Sequence, residues 1–230
     1  MKGKLNGSTR RIAGKAGRLS AIEMLEDEHK LIMRMVKLLP TVQRRIEEGD
    51  LDSEVLMTTV DFFRVYADKS HHAKEETGLF TLLAKRGVRL KGCPIGTLHN
   101  EHDQGRVLIK ALDEAIQRYI KGDSTAKKQI VEYLKSATDF YADHIWKEDF
   151  LLFPMSHKVL KDSDEEELRK QFVGVDSKLG DHFQDEYHCR VDRLESILNG
   201  DGKANRSLGS HTKLEEPAHL ISGLEEILHA

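Results

Sequence analysis

Apolar residues recur along this chain at intervals of three and four, with charged residues between them, in four long stretches punctuated by glycine. That period is the mark of amphipathic helices, and the two-residue alternation of strands is absent. Ser20, with Glu23 three residues on, forms a capping box that starts a first helix near Ala21, followed by the stripe Leu25, Ile32, Met35, Val36 and Leu39. The helix either kinks or breaks at Pro40 and ends at Gly49-Asp50. A second helix opens at Asp52 or Ser53, carries Val60, Phe63, Val65 and Ala67, and runs to about Lys85 before Gly87. Pro94 stands in the first turn of a third, whose stripe of Val107, Leu108, Leu112 and Ile116 stops at Gly122. Asp123 or Ser124 caps a fourth, with Ile130, Leu134, Ala137 and Tyr141, extending to about His157 across Pro154. Acidic residues from Asp164 to Glu167 begin a fifth helix, with Leu168, Phe172, Val175, Leu179, Phe183, Leu194 and Ile197, where Gly174 and Gly180 are points of interruption.

Composition agrees with an all-α protein: 33% of residues are charged, only 6% are aromatic, and there are four prolines in 230 residues. The expected architecture is an up-down-up-down antiparallel four-helix bundle over residues 20–160, with an additional C-terminal helix at 161–199 packed on it or extending it. Residues 1–19 hold Lys2, Lys4, Arg10, Arg11, Lys15 and Arg18 and no acid, and read as a basic disordered tail without the apolar core of a signal peptide. Residues 200–230 read as a linker followed by a short amphipathic helix of Leu220, Ile221, Leu224, Ile227 and Leu228. Either tail is a candidate contact for a protein partner. A net charge of −3 gives no reason to expect nucleic acid, and no run of 18 apolar residues is present to span a membrane. Two cysteines, Cys93 and Cys189, fit a reducing cytoplasm better than a disulfide framework.

Candidate chemistry comes from polar residues on the apolar stripes. His29 lies on the first stripe, and a polar group facing a core needs a partner. His72-x-x-x-Glu76 and His144-x-x-x-Glu148 each put an imidazole and a carboxylate one turn apart on one helix face. The dipeptides Glu28-His29 and Glu101-His102 precede these clamps, with 43 positions from His29 to His72 and 42 from His102 to His144. The chain therefore contains one unit twice, and in an antiparallel bundle all four positions fall at one level. Six ligands converge there: His29, His72, Glu76, His102, His144 and Glu148. Nitrogen and oxygen donors without sulfur suit iron, manganese or zinc, and six ligands from two repeats suit two ions with the glutamates bridging. His71 and Glu75 form a competing clamp in the adjacent register, read here as residues behind the ligands or at the surface. His99 is read as a polar neighbour of the site, His182 and His188 as surface or packing residues, Tyr66 and Tyr141 as core, and Gly105 as making room for a ligand or a close helix contact.

His29, His72-x-x-x-Glu76, Glu101-His102-Asp103-Gln104-Gly105-Arg106 and His144-x-x-x-Glu148, in this order and spacing, resemble the hemerythrin-like, HHE cation-binding family over roughly residues 20–160. The resemblance implies a non-haem di-iron site in a four-helix bundle, held by the six ligands just named, and a protein that binds or reduces a small diatomic ligand or peroxide for sensing, storage or protection. An iron-centre repair or peroxidase enzyme and a metal-dependent interaction module are the alternatives. Repair proteins of this group carry an N-terminal cysteine-containing domain, and the first 20 residues here have no cysteine. Oxygen-carrying members place a further His where this chain has Leu98, so the resemblance runs toward members that sense iron or oxygen, handle nitric oxide or repair iron centres. Asp149 stands where those carriers use an Asp, but Glu148 fits the His/Glu branch.

Overall fold

Ser20 starts the first helix as its capping box requires: its side chain accepts from the Glu23 amide at 3.1 Å, and the Glu23 carboxylate accepts from the Ser20 amide at 2.7 Å. The computed structural model describes residues 19–200; the expected tails, apart from their inner residues 19 and 200, lie outside the described residues. Helix α1 spans Ala21–Glu48, passes through Pro40 on its exposed side without a break, and ends at Gly49, whose φ of +75° is the left-handed conformation that glycine adopts without a Cβ penalty. Helix α2 occupies residues 53–85: Ser53–Asp61 and Thr81–Lys85 are ordinary α-helix, and Phe62–His72 and Glu75–Phe80 form wider π-helical turns. Helix α3 is Ile95–Ile120. Helix α4 runs over residues 126–159 as Ala126–Lys147, a π-helical turn Glu148–Leu152, and Phe153–Val159, with Pro154 tolerated in the first turn of that last piece.

The single C-terminal helix expected from sequence is two. Helix α5, Asp162–Leu179, and helix α6, Phe183–Asn199, are separated at Gly180, which has φ +151°, whereas Gly174 continues the helix. No strand occurs among the described residues, and none of their helices is long and apolar enough to cross a membrane.

Helix α4 packs against both α3 and α1, α2 packs against α1 and α3, and α5 and α6 cover α1 and α2, which closes a helical bundle. Its apolar interior is in two parts. The larger contains Met35, Leu39, Phe63, Leu112, Leu134 and, from α6, Tyr187 and Leu194; the smaller contains Leu25, Leu79, Leu98, Leu152 and, from α5, Leu168 and Phe172. On every one of the first four helices the chain crosses from one part to the other at a His or Glu. A polar layer thus separates two apolar ones, and burial of both sides holds it in place.

Gly78 is required where α5 crosses α2, because a Cβ there would lie 2.9 Å from the Phe172 ring and 3.3 Å from Leu168. Both neighbours are fully buried and cannot give way. Gly78→Ala is therefore expected to destabilise by roughly 1–3 kcal/mol despite its better helix propensity, lowering the melting temperature by a few degrees. An unchanged or higher melting temperature would mean that α5 yields freely at this contact.

Candidate metal centre

Five imidazoles and two carboxylates meet in the polar layer. His29 comes from α1, His71, His72 and Glu75 from α2, His102 from α3, and His144 and Glu148 from α4, and all seven are buried. Three overlapping groups have ligand atoms within 4.8 Å of one another: His29, His71, Glu75 and Glu148; Glu75, His102, His144 and Glu148; and His72, His102 and His144. Glu75 and Glu148 belong to both of the carboxylate-containing groups. The layer is thus one cluster with two lobes, which these carboxylates join.

Each imidazole is oriented from behind. The Nδ1 atoms of His29, His71, His72, His102 and His144 face Asp149, Glu28, Asp68, Glu76 and Glu101 at 2.7, 2.9, 3.4, 2.7 and 2.9 Å. A carboxylate accepting from Nδ1–H fixes the ring and presents Nε2 to the interior, the arrangement that holds metal-binding histidines. The Nε2 atoms of His29 and His71 lie 3.0 Å apart, and the Nε2 atoms of His144 and His102 lie 3.2 and 3.6 Å from Glu148 Oε1. Both oxygens of Glu75, both of Glu148, and Nε2 of His102 and His144 are buried without a hydrogen-bond partner. Six orphaned polar atoms at one point would be costly in a structure that left them so, and their geometry and donor chemistry fit a metal centre of nitrogen and oxygen ligands.

The electrostatics show the same unmet demand. Burial alone would lower the pKa of His29, but the hydrogen bond to Asp149 and the negative charge of Glu148 beside its Nε2 raise it to about 10. Burial is likewise outweighed at His102, raised to about 11 by Glu148, Glu75 and Glu76, and at His144, raised to about 9 by Glu148 and Glu101. His71 and His72 stay well below the usual imidazole value, through burial and the positive charge of neighbouring histidines. Burial and the adjacent Glu148 push Glu75 up, while at Glu148 His144, His102 and His29 overcome burial and hold it ionised.

Of the six residues expected from sequence, five meet here: His29, His72, His102, His144 and Glu148. Glu76 does not. It is half-buried, accepts from His102 Nδ1 at 2.7 Å and from Arg106 Nη2 at 2.7 Å, and these bonds outweigh burial to bring its pKa down to about 2. His71 and Glu75, expected behind the ligands or at the surface, are instead central, at 1% and 0% exposure. The π-helical turns explain how neighbours as close as His71 and His72 both face inward: more residues per turn bring adjacent side chains closer in angle than the about 100° of an α-helix. His72 of α2 brings the histidines of the cluster to five, and Leu98 packs in the smaller apolar cluster. His99 is exposed beside Asp103, and His182 and His188 are exposed on the C-terminal helices. Tyr141 packs in the core against Phe63, with ring centroids 4.6 Å apart, and Tyr66 donates to Gln184. Gly105 makes room for Phe140, whose ring a Cβ would meet at 3.0 Å.

One sequence signal points to the register in which the structure groups these side chains. Taking His71 as the clamp makes the His-to-His spacing 42 in both halves, rather than 43 and 42. The whole constellation then repeats at a shift of 73 positions: Glu28 with Glu101, His29 with His102, His71 with His144, Lys74 with Lys147, Glu75 with Glu148, and Glu76 with Asp149. The structure uses the pairs alike. Glu28 and Glu101 orient His71 and His144 and accept from Lys74 and Lys147; Asp149 and Glu76 orient His29 and His102. His72 breaks the symmetry, since its counterpart is Ile145.

Searches of the curated proteins and of the solved structures found no significant match. The family model of the hemerythrin HHE cation-binding domain matches residues 20–156, which takes in every side chain of the cluster and ends before α5. By that match over more than half its length, and by a cluster of buried histidines and glutamates at its centre, the chain belongs to the hemerythrin HHE cation-binding domain family.

Proposed function

We propose that the cluster holds two iron ions and that the protein binds or reduces a small ligand, dioxygen, nitric oxide or peroxide, for sensing, storage or protection. The observation that carries this reading is the set of six orphaned donor atoms, with two carboxylates shared between two groups of imidazoles. His29 and His71 would hold one ion and His72, His102 and His144 the other, with Glu75 and Glu148 common to both. The first four helices in up-down-up-down order supply this layer. Iron adds redox chemistry and positions open to a small ligand. The outer carboxylates keep the rings in place and preserve their donor tautomer, and the apolar layers above and below exclude bulk water. A cavity of about 370 Å³ beside His72, lined by Phe63, Asp68, Gly105, Arg106 and Tyr141 among others, gives a small molecule room at the three-imidazole lobe.

Anaerobic reconstitution with ferrous iron is expected to give two ions per chain, and admission of oxygen, nitric oxide or peroxide to change the optical spectrum. Protein that keeps no stoichiometric iron would end the proposal. Measured peroxide turnover would separate an enzyme from a sensor. Among outer residues, Glu101→Ala is expected to weaken iron binding roughly ten- to a hundredfold, because it releases His144 without removing a donor; affinity equal to wild type would show that the His144 ring needs no such support.

A further inference from the structure

Apart from the additional His72, the two lobes differ in what stands behind His71. In the second lobe, Lys147 bonds Glu101 at 2.6 Å and Asp143 of its own helix at 2.6 Å, and it remains 27% exposed. In the first, the residue related to Asp143 is Ser70, which cannot take a lysine's charge. An acid arrives instead from another helix: Asp176 of α5 accepts from Lys74 at 2.8 Å and from the Ser70 hydroxyl at 2.6 Å. Lys74 is fully buried between Asp176 and Glu28. From α6, Gln184 donates to Glu28 and to Asp176 at 3.0 Å each and accepts from Tyr66 at 2.9 Å. Glu28 in turn receives His71 Nδ1 at 2.9 Å. An unbroken chain of buried and half-buried polar contacts therefore runs from α5 and α6 to one imidazole of one lobe.

We propose that Asp176 and Gln184 are positioning residues for His71, and that through them the docking of α5 and α6 is coupled to metal occupancy of the His29/His71 lobe and not of the other. The proposal rests on the metal reading above. A buried lysine and two carboxylates are stable only with all partners in place, so the geometry of Glu28 depends on α5 and α6 being docked. A free-energy coupling of this kind is reciprocal: whatever fixes His71 also favours the docked helices. Because α5 and α6 lie beyond the matched residues 20–156, they tie a segment outside the matched domain to a site that the domain supplies.

Hydrogen exchange on the full chain, anaerobically with and without two equivalents of ferrous iron, tests this directly. Residues 162–199 are expected to exchange at least several-fold more slowly in the loaded protein. In an iron isotherm, Asp176→Ala is expected to weaken one of the two ions roughly ten- to a hundredfold and leave the other, while removing the metal-dependent protection of 162–199. The related substitution Asp143→Ala is expected to leave that protection intact. Equal exchange of 162–199 in both states of wild type, with two ions bound, would overturn the coupling and leave the metal site standing; so would equal weakening of both ions by Asp176→Ala. Failure of wild type to bind iron would remove both. The wild-type comparison does not depend on a variant that folds.

Discussion

Glu75→Ala is expected to leave the protein with at most one ferrous ion per chain, whereas Glu76→Ala keeps two. The glutamates are neighbours in sequence and both stand four residues after a histidine, yet their surroundings differ completely. Glu75 is inaccessible, its two oxygens have no hydrogen-bond partner, and it belongs to both lobes. Glu76 is occupied by Arg106 and by His102 Nδ1, on the far side of that ring from the cluster. Removing Glu75 takes a shared donor away, and the neighbouring imidazoles cannot replace it. Removing Glu76 loosens one ring, an effect of roughly ten- to a hundredfold on the affinity of one ion that saturating iron overcomes. Glu75 also makes a cleaner test than Glu148, whose ionised carboxylate faces three imidazoles with raised pKa; stranding buried charge of that kind costs about 3–5 kcal/mol and risks the fold. Metal analysis and an isotherm on both variants decide the matter. Loss of the pair in Glu76→Ala with retention in Glu75→Ala would restore the register of His72 and Glu76.

That one-residue difference marks the limit of what the sequence makes legible. The boundaries of α1 to α4 follow from caps and glycines, Ser20, Gly49, Gly87 and Gly122, whose conformational preferences are local. Four of the five histidines follow from periodicity and repetition, since a histidine on an apolar stripe needs a partner. The choice between His71 and His72 does not follow from periodicity, because both satisfy a four-residue spacing to a glutamate and the wide turns of 62–72 and 75–80 bring both inward. The repeat favours His71 by its equal spacing, by the lysine three residues after each clamp, and by the acid that follows Glu75 and Glu148. The break between α5 and α6 was legible as Gly180 but not distinguishable there from Gly174, since only the observed positive φ separates them. Nothing local to Asp176 or Gln184 marks them as partners of Lys74; that pairing is a product of how α5 and α6 dock.

Metal is expected to stabilise the protein more as pH rises, and the raised imidazoles set the window. Glu148 and the carboxylates behind each ring raise His29, His102 and His144 above the ordinary imidazole value, to about 10, 11 and 9. A group whose pKa is raised on folding stabilises the folded state fully below its unfolded value, about 6.5, and loses that contribution as pH climbs through the folded value. Here those folded values are about 9 to 11, so the metal-free protein loses stability progressively from about pH 6.5 upward. Glu148 has the opposite sign: its depressed pKa contributes stability above about 4.5 that is lost as the pH falls toward its folded value. A metal ion needs neutral imidazoles, so loading releases up to three protons and its affinity rises about tenfold per pH unit for each proton released. With iron at a thousand times its dissociation constant the gain is about 4 kcal/mol, an increase on the order of 10 °C in melting temperature for a chain of this size. Melting curves with and without ferrous iron, taken anaerobically between pH 6 and 9 at fixed total metal, should therefore diverge as pH increases, and titration calorimetry in two buffers of different ionisation enthalpy should register the released protons. An increment that is constant with pH, or binding that releases no protons, would show that these imidazoles are not the ones that meet the metal.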